Sequence, residues 1–585
     1  MEEDIRWLVI CINEVIPAGF PADIHILFTG INNIKEETSM CKKSRKFLVI
    51  MLAITVIAAS LAGCAGKTTT SKNTIRYDIG AEPKTIDPAL NSAVESGTVI
   101  LNCFEGLTRT DENEKPIPGV ATSWDVSPDG LTYTFKLRSD AKWSDGKALT
   151  AKDFEYAWKR AMDPATAAEY ANYFYYIKNG EAYNKKKANA DAVGVKATDD
   201  TTLVVTLENP TPYFLALTSF PTYMPVRKDV VEANKDTWAT KPETYVSNGP
   251  FVLKEWRPKD RLILEKNANY WNTKEVKLDR LEMTMIEEAT SRLAAYKSGQ
   301  LDYIESPPSQ EIPNLLAKGE AKAIPYLGTY FYSINVTPKL ASVDPQAAKA
   351  LKDVKVRKAL SLAIDRDALV KNVVKGGQES ATTFVPPGVP ASADITNFKN
   401  KDYYAPAGDV AQAKSLLASA GYPNGQGFPK IVLLYNSGSG HQNVAQAVQD
   451  MWKKNLGINV ELQNQEWKVF QTTRTSKDYV IARDGWIGDY LDPTTFLDLF
   501  TSDSGNNNAG YKNPAYDAKI AAAKKESDPV KRAALLHDAE DMLMADAPII
   551  PLYYYKNIAM VKDYVKGARK SMLGFVYFDK AYVQK

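Results

Sequence analysis

The chain has 585 residues, 72 Lys and Arg against 70 Asp and Glu, a formal net charge of +2 and 44% hydrophobic residues. That length exceeds what a single core supports, so two or three domains are expected. The near balance of charge excludes a nucleic-acid partner and an acidic-substrate trap. With only His25, His441 and His537 present, a histidine-rich metal site is excluded as well, and no cofactor is expected. The 31 tyrosines suggest a contact surface instead, because each offers an apolar body with a polar tip.

In chain order, the first signal is Lys42-Lys43-Ser44-Arg45-Lys46, then an apolar run over 47–60, then Leu61-Ala62-Gly63-Cys64. A basic segment, a short apolar segment and small residues make an export signal, and the run is shorter than the ~20 residues of a spanning helix. Leu-Ala-Gly-Cys resembles the lipobox of bacterial lipoproteins, which implies a lipid-modified Cys64 as first mature residue. Residues 1–39 are then expected to be a mis-assigned upstream start, 40–63 the signal peptide and 64–74 a flexible tether. With Cys11 and Cys41 removed, Cys103 is the only unmodified thiol, so no intrachain disulfide is expected, and Cys103 reads as a small core residue.

From Ile75 a strand leads into a helix over 96–104. The turn Ser127-Pro128-Asp129-Gly130 precedes a period-two strand over 131–137. A helix starts at Thr150 with Asp153 as a capping box and Phe154, Trp158 and Ala161 on one face. A strand pair over 195–207 follows, then strands near 251, 262–264 and 281–285, and a helix over 288–298 closed by Gly299. Beyond 336 helices alternate with strands (helices over 353–364, 368–374 and 410–420 among them), and a domain change is placed there. The fold class expected is α/β.

The segments Ala121-Thr122-Ser123-Trp124 and Leu137-Arg138-Ser139-Asp140-Ala141-Lys142-Trp143-Ser144-Asp145-Gly146, leading to Ala151-Lys152-Asp153-Phe154, resemble the family-5 extracellular solute-binding proteins, the peptide-binding components of ABC importers. The resemblance runs from about Tyr77 to the C-terminus. It implies a two-lobed periplasmic-binding-protein-like fold (type II) with an extra small α+β domain on the N-terminal lobe. Residues 75–104, 239–335 and 557–585 then form lobe I, 105–238 the extra domain and 336–556 lobe II.

Two strands over 430–435 and 458–462, joined by a helix over 441–455, make a βαβ unit. A second helix over 469–475 returns to a short strand over 479–482, which delivers the loop Arg483-Asp484-Gly485-Trp486-Ile487-Gly488-Asp489. Ligands bind beyond the carboxyl ends of such strands, where His441, Trp467 and Arg483 to Asp489 gather. Gly485 and Gly488 free the backbone beside Trp486 for close approach, with a ligand as the expected neighbour. Asp489 can pair with an ammonium, Arg474 and Arg483 can hold a carboxylate, and Trp467 and Trp486 can line a pocket. Bland roles stay open: Asp489 with Asp492 starting a helix, Trp486 in the core, Arg474 solvated, His441 merely starting its helix.

The resemblance implies more for these positions. Asp489 would receive the peptide α-ammonium; Arg474, Arg483 and His441 would receive carboxyl ends at different reaches; Trp467 would be a pocket wall and Tyr170 a contact from the extra domain, a role for which Tyr173, Tyr175 and Tyr176 stay open beside it. Val94 and Asn335 complete the expected ligand set. Ser92 stands where relatives carry an acid, with Glu95 displaced. The function implied is an extracytoplasmic lipoprotein on the outer face of the cytoplasmic membrane of a Gram-positive-type cell. It would be a monomer that captures oligopeptides for an ABC permease and is not an enzyme. The alternatives are the same fold binding a signalling peptide, nickel chelate, haem or oligosaccharide, or an exported hydrolase using His441 with Asp489, against which stands the lack of a Gly-x-Ser-x-Gly elbow.

Overall fold

The structure is a computed structural model and describes residues 73–584. The expectations for the upstream start, signal peptide and Cys64, and most of the tether, lie outside the described residues. The first strand, β1 (Thr74–Asp78), leads to helix α1 (Val94–Cys103), which starts earlier than expected and so carries Val94 and Glu95 in its first turn. Cys103 is fully buried at its end, and burial pushes its thiol up.

A small sheet follows, made of β2 (Ala121–Val126), β3 (Thr132–Leu137), β4 (Val195–Asp199) and β5 (Thr202–Thr206) in the order β2-β3-β5-β4. Along β3, Tyr133, Phe135 and Leu137 point inward, as the period of two requires. Helix α2 (Ala151–Met162) packs with this sheet; Asp153 accepts from the Thr150 main-chain N–H at 2.8 Å, while Phe154, Trp158 and Ala161 are fully buried.

The main sheet begins with β6 (Phe251–Arg257), β7 (Arg261–Lys266) and β8 (Arg280–Thr284); helix α3 (Ala289–Lys297) then ends at Ser298, with Gly299 at φ +80° just beyond. Next come β9 (Tyr303–Glu305), the long β10 (Lys322–Ile334), β11 (Ile431–Asn436), helix α4 (Ser439–Leu456), β12 (Val460–Gln465), helix α5 (Trp467–Thr475), β13 (Ile481–Ile487) and the long β14 (Ile549–Val561). Their order in space is β12-β11-β13-β10-β14-β9-β1-β8-β7-β6, with the short strand Glu379–Ser380 beside β14. β11 runs parallel to both β12 and β13, which is the βαβ arrangement read from the sequence. The helix expected over 368–374 is instead a short α-turn, Arg366–Ala368, that continues as a π-helix over Leu369–Val374.

Two large hydrophobic cores flank the sheet's middle. One gathers residues between Ile75 and Met285 with the C-terminal segment; the other lies mainly between Leu327 and Tyr553. β10 and β14, of 13 residues each, cross from one core to the other. Their antiparallel pairing is interrupted between Pro325 and Thr329. Proline has no N–H to give, and the residues that follow satisfy their backbone elsewhere. Leu327 N donates to Met572 O at 2.8 Å, and Leu327 O accepts from Gly488 N at 2.8 Å.

One expectation is corrected here. The strand read as 479–482 runs over Ile481–Ile487, so most of the supposed loop is strand, because β10 pairs with it from Ile334↔Ile481 to Gly328↔Ile487. A complete antiparallel partner outweighs the polar and glycine content of the segment.

Candidate functional site

A cleft of about 460 Å³ lies between the two cores, with walls from both and a floor of tyrosines from β10 and β14. Val94, Glu95 and Tyr170 come from one side; Asn436, His441, Trp467, Arg474, Arg483, Trp486 and Asp489 come from the other. Apart from Asn335, the expected ligand set lines this cleft.

Asp489 lies just past the end of β13, half-buried. Its Oδ2 accepts from the Tyr173 hydroxyl at 2.5 Å and the Tyr170 hydroxyl at 3.1 Å, and its main-chain N–H donates to Thr495 Oγ1 at 2.8 Å. No cation among the described residues forms an ion pair with it. Burial raises its pKa to about 7, against the pull of the two phenols. Asp492, not Asp489, does the helix-start work: it accepts from Thr494 N at 3.0 Å and pairs with Arg532 through two bonds of 2.7 and 2.9 Å. Trp486 serves as both pocket wall and core, packing against both cores and donating its indole N–H to Thr495 O at 2.7 Å.

Arg483 has no acidic partner among the described residues. Its Nη2 donates to the Tyr555 hydroxyl at 3.1 Å, its guanidinium lies 5.0 Å over the Tyr330 ring, and its Nε is buried without a partner. Arg474 differs. Its Nη1 bonds Asp484 Oδ1 at 2.6 Å, so the free guanidinium expected there is already neutralised by a buried carboxylate. His441 Nδ1 lies 3.2 Å from the Tyr330 hydroxyl, and burial, then Arg483 and Arg292, push its pKa well below the usual 6.5. It is a neutral hydrogen-bonding group near pH 7, not a second cation.

Trp467 opens helix α5, capped by Glu466, and its indole N–H donates to Glu95 Oε1 at 2.8 Å across the cleft. Glu95 is thus bound to Trp467 rather than standing beside Asp489. Asn335 is a correction. It is fully buried, its Nδ2 donates to Lys477 O and Tyr479 O at 3.0 and 2.9 Å, and its Oδ1 accepts from Thr337, so nothing is left for a ligand. The glycine expectation is also corrected. The space beside Gly485 is filled by the Tyr555 hydroxyl, and a Cβ on Gly488 would meet Leu327 and Phe496 at 3.3 Å, so the close approach is made by the chain itself.

Thr495, Tyr330 and Tyr555 are not singled out by the sequence, and Tyr173 is only one of several tyrosines open for the contact of Tyr170. A signal existed for Tyr555. In Pro551-Leu552-Tyr553-Tyr554-Tyr555, period two puts 553 and 555 on one face and 554 on the other. Tyr553 and Tyr555 line the cleft, whereas the Tyr554 hydroxyl bonds Thr383 at 2.6 Å. Thr495 carries no such pattern, and the tertiary fold brings both Tyr170 and Tyr173 of the tyrosine cluster to Asp489.

Known proteins resemble the chain along most of its length. The oligopeptide-binding protein OppA of Bacillus subtilis (strain 168) is 40% identical over 557 residues, covering 92% of this chain and 99% of that protein. The solved structure of the Escherichia coli murein tripeptide-binding protein MppA superposes with a TM-score of 0.81 at 35% identity, covering 88% of this chain and 99% of that one. An unliganded open form of MppA gives only 0.57 at 36% identity, over 88% and 98%. The chain thus matches that open form less well than it matches the other MppA structure. The fold is two-lobed α/β of type II, with the small sheet as an added unit. The profile of the bacterial extracellular solute-binding proteins, family 5, matches residues 115–508, and the chain belongs to that family.

Proposed function

We propose that the chain captures oligopeptides by their free ends in the interlobe cleft and delivers them to an ABC importer. The observation that carries this reading is a pair of uncompensated opposite charges in one cleft, the Asp489 carboxylate and the Arg483 guanidinium. An unpaired buried charge is costly, and a zwitterionic chain supplies both counter-ions. Asp489 takes the α-ammonium and Arg483 the carboxylate, with neutral His441 donating a hydrogen bond and Arg474 holding Asp484 in place.

The backbone supports an extended ligand. β11 pairs with β13 only as far as Leu434↔Ala482, so from Arg483 to Ile487 one edge of β13 has no strand partner and can meet a peptide by strand addition. Trp486 and Trp467 form walls, and Tyr170 and Val94 close the opposite side. The murein tripeptide and oligopeptide named for the relatives point to the same ligand class.

The remaining readings follow. Lobe I (75–104, 239–335, 557–585) with the added domain (105–238) and lobe II (336–556) close about β10 and β14, supported by the two cores and the interrupted pairing after Pro325. The lipobox-like Leu61-Ala62-Gly63-Cys64 supports a lipid anchor on the outer face of the membrane. Among the described residues no helix is long and apolar enough to cross a membrane. The chain acts as a monomeric binder rather than a hydrolase.

Native mass spectrometry of the purified full-length protein tests this. Retained peptides, and added peptides returned intact, are expected. Cleaved peptides would favour a hydrolase, and a bound chelate or saccharide would overturn the ligand class.

A further inference from the structure

The charges of the cleft do not balance once both peptide ends are placed. Six carboxylates and four cationic side chains line it. Three carboxylates are already paired: Asp78 with Arg292 at 2.6 Å, Asp484 with Arg474 at 2.6 Å, and Glu305 with Lys570, which does not itself line the cleft, at 2.8 Å. If Asp489 takes the ligand ammonium and Arg483 the ligand carboxylate, Glu95 and Glu287 remain against Lys556 alone. None of these three has an ion pair among the described residues, so the cleft is left with a net negative charge.

Both leftover acids meet at Trp467. The indole N–H of Trp467 donates to Glu95 at 2.8 Å, and Glu287 lines the cleft beside the same residue. The two carboxylates therefore both line the cleft on the wall that faces Trp467. Burial raises the pKa of both, with the neighbouring Glu466 adding to the effect on Glu287. A second, independent feature marks the same corner. Asn436, adjacent in sequence to Ser437, is 7% exposed and lines the cleft, and its Oδ1 is buried without a donor. Leaving a buried acceptor unmatched is costly, so a donor brought into the cleft is favoured there.

We propose that Glu95, Glu287 and Asn436 form a subsite for a cationic ligand side chain of the lysine or arginine type, so that the cleft selects peptides with a basic residue at one position. The two carboxylates and the Asn436 oxygen are acceptors, which is what an ammonium or guanidinium needs, and the indole face of Trp467 adds a cation–π surface. A neutral side chain of equal length leaves the Asn436 oxygen and both carboxylates unmatched, and an acidic one is repelled. Because the carboxylates come from one wall and Trp467 from the other, the subsite is complete only when the lobes are closed.

This inference rests on the peptide reading, and the experiment separates the two. Calorimetric titration of the full-length protein, freed of bound peptide, would use tetra-alanine with lysine placed at each position in turn, and a parallel series with norleucine, which keeps the length and removes the charge. At one position lysine is expected to bind at least tenfold more tightly than norleucine, and the Glu95→Gln/Glu287→Gln variant is expected to bring that ratio to within twofold of unity. Peptide binding with equal affinities for lysine and norleucine at every position would overturn the subsite and leave the peptide reading intact, as would a ratio that survives in the variant. The wild-type ratio stands as a test even if the variant does not fold. Binding of no peptide in either series would overturn the peptide reading, and the subsite with it.

Discussion

Lowering the pH from 7 to 5 is expected to weaken the binding of tri-alanine by about 50-fold, equivalent to about 2.3 kcal/mol. The cause is Asp489. Burial raises its carboxyl to about 7, where the phenols of Tyr170 and Tyr173 donate to one oxygen and no cation among the described residues pairs with it. Pairing with an α-ammonium requires the ionised form, so below pH 7 each binding event must first expel a proton. A carboxyl with a raised pKa therefore contributes its full affinity above about pH 7 and loses it as the pH falls. The two phenols do not titrate in this range, because burial first and Asp489 second hold them well above 10. Calorimetry in buffers of different ionisation enthalpy is expected to register release of about 0.9 proton per peptide at pH 6. Asp489→Asn is expected to lower the affinity and abolish the slope. An affinity that stays flat from pH 5 to 7 with no proton released would refute the reasoning.

Three further outcomes are expected. Arg483→Met removes the one guanidinium lining the cleft that has no carboxylate partner among the described residues and is expected to cost about 2 kcal/mol or more in affinity for a peptide with a free carboxylate, but little for its C-terminal amide; calorimetry with both peptides checks this. Gly485→Ala places a methyl group on the Tyr555 hydroxyl that holds Arg483, so the same free-carboxylate preference is expected to fall about tenfold, or about 1.4 kcal/mol. Arg532→Met leaves Asp492 buried without its bidentate partner and is expected to destabilise the fold by about 3–5 kcal/mol, read as a lowered urea midpoint.

What the sequence makes legible here follows the range over which each signal acts. The period-two burial of β3, the apolar face of α2 and the β11-α4-β12 unit are local patterns, and they appear within a few residues of where they are read. The extent of β13 is not local. Its polar and glycine residues read as a loop, and only the pairing with β10, some 150 positions away in the chain, makes them strand. The same contrast holds in the site. Asp489 is legible from a segment that gathers carboxylates, glycines and tryptophan, but whether it faces a cation depends on Tyr170 and Tyr173, more than 300 residues earlier. Arg474 and Arg483 look equivalent in sequence; the structure separates them because Asp484, beside one, reaches the other. Asn335 resembles a ligand contact in composition, yet its amide is wholly used by the carbonyls of Lys477 and Tyr479 and by Thr337.

The central claim is that the cleft recognises a peptide by its two free ends. Calorimetric titration at pH 7.5 with a free tetrapeptide, its N-acetylated form and its C-terminal amide tests it most directly. Binding of the free peptide, with a loss of about 100-fold or more on acetylation and a smaller loss on amidation, is the expected result, acetylation leaving Asp489 buried without a cation. Equal affinity for the acetylated and free peptides would contradict the assignment of Asp489 and the account built on it.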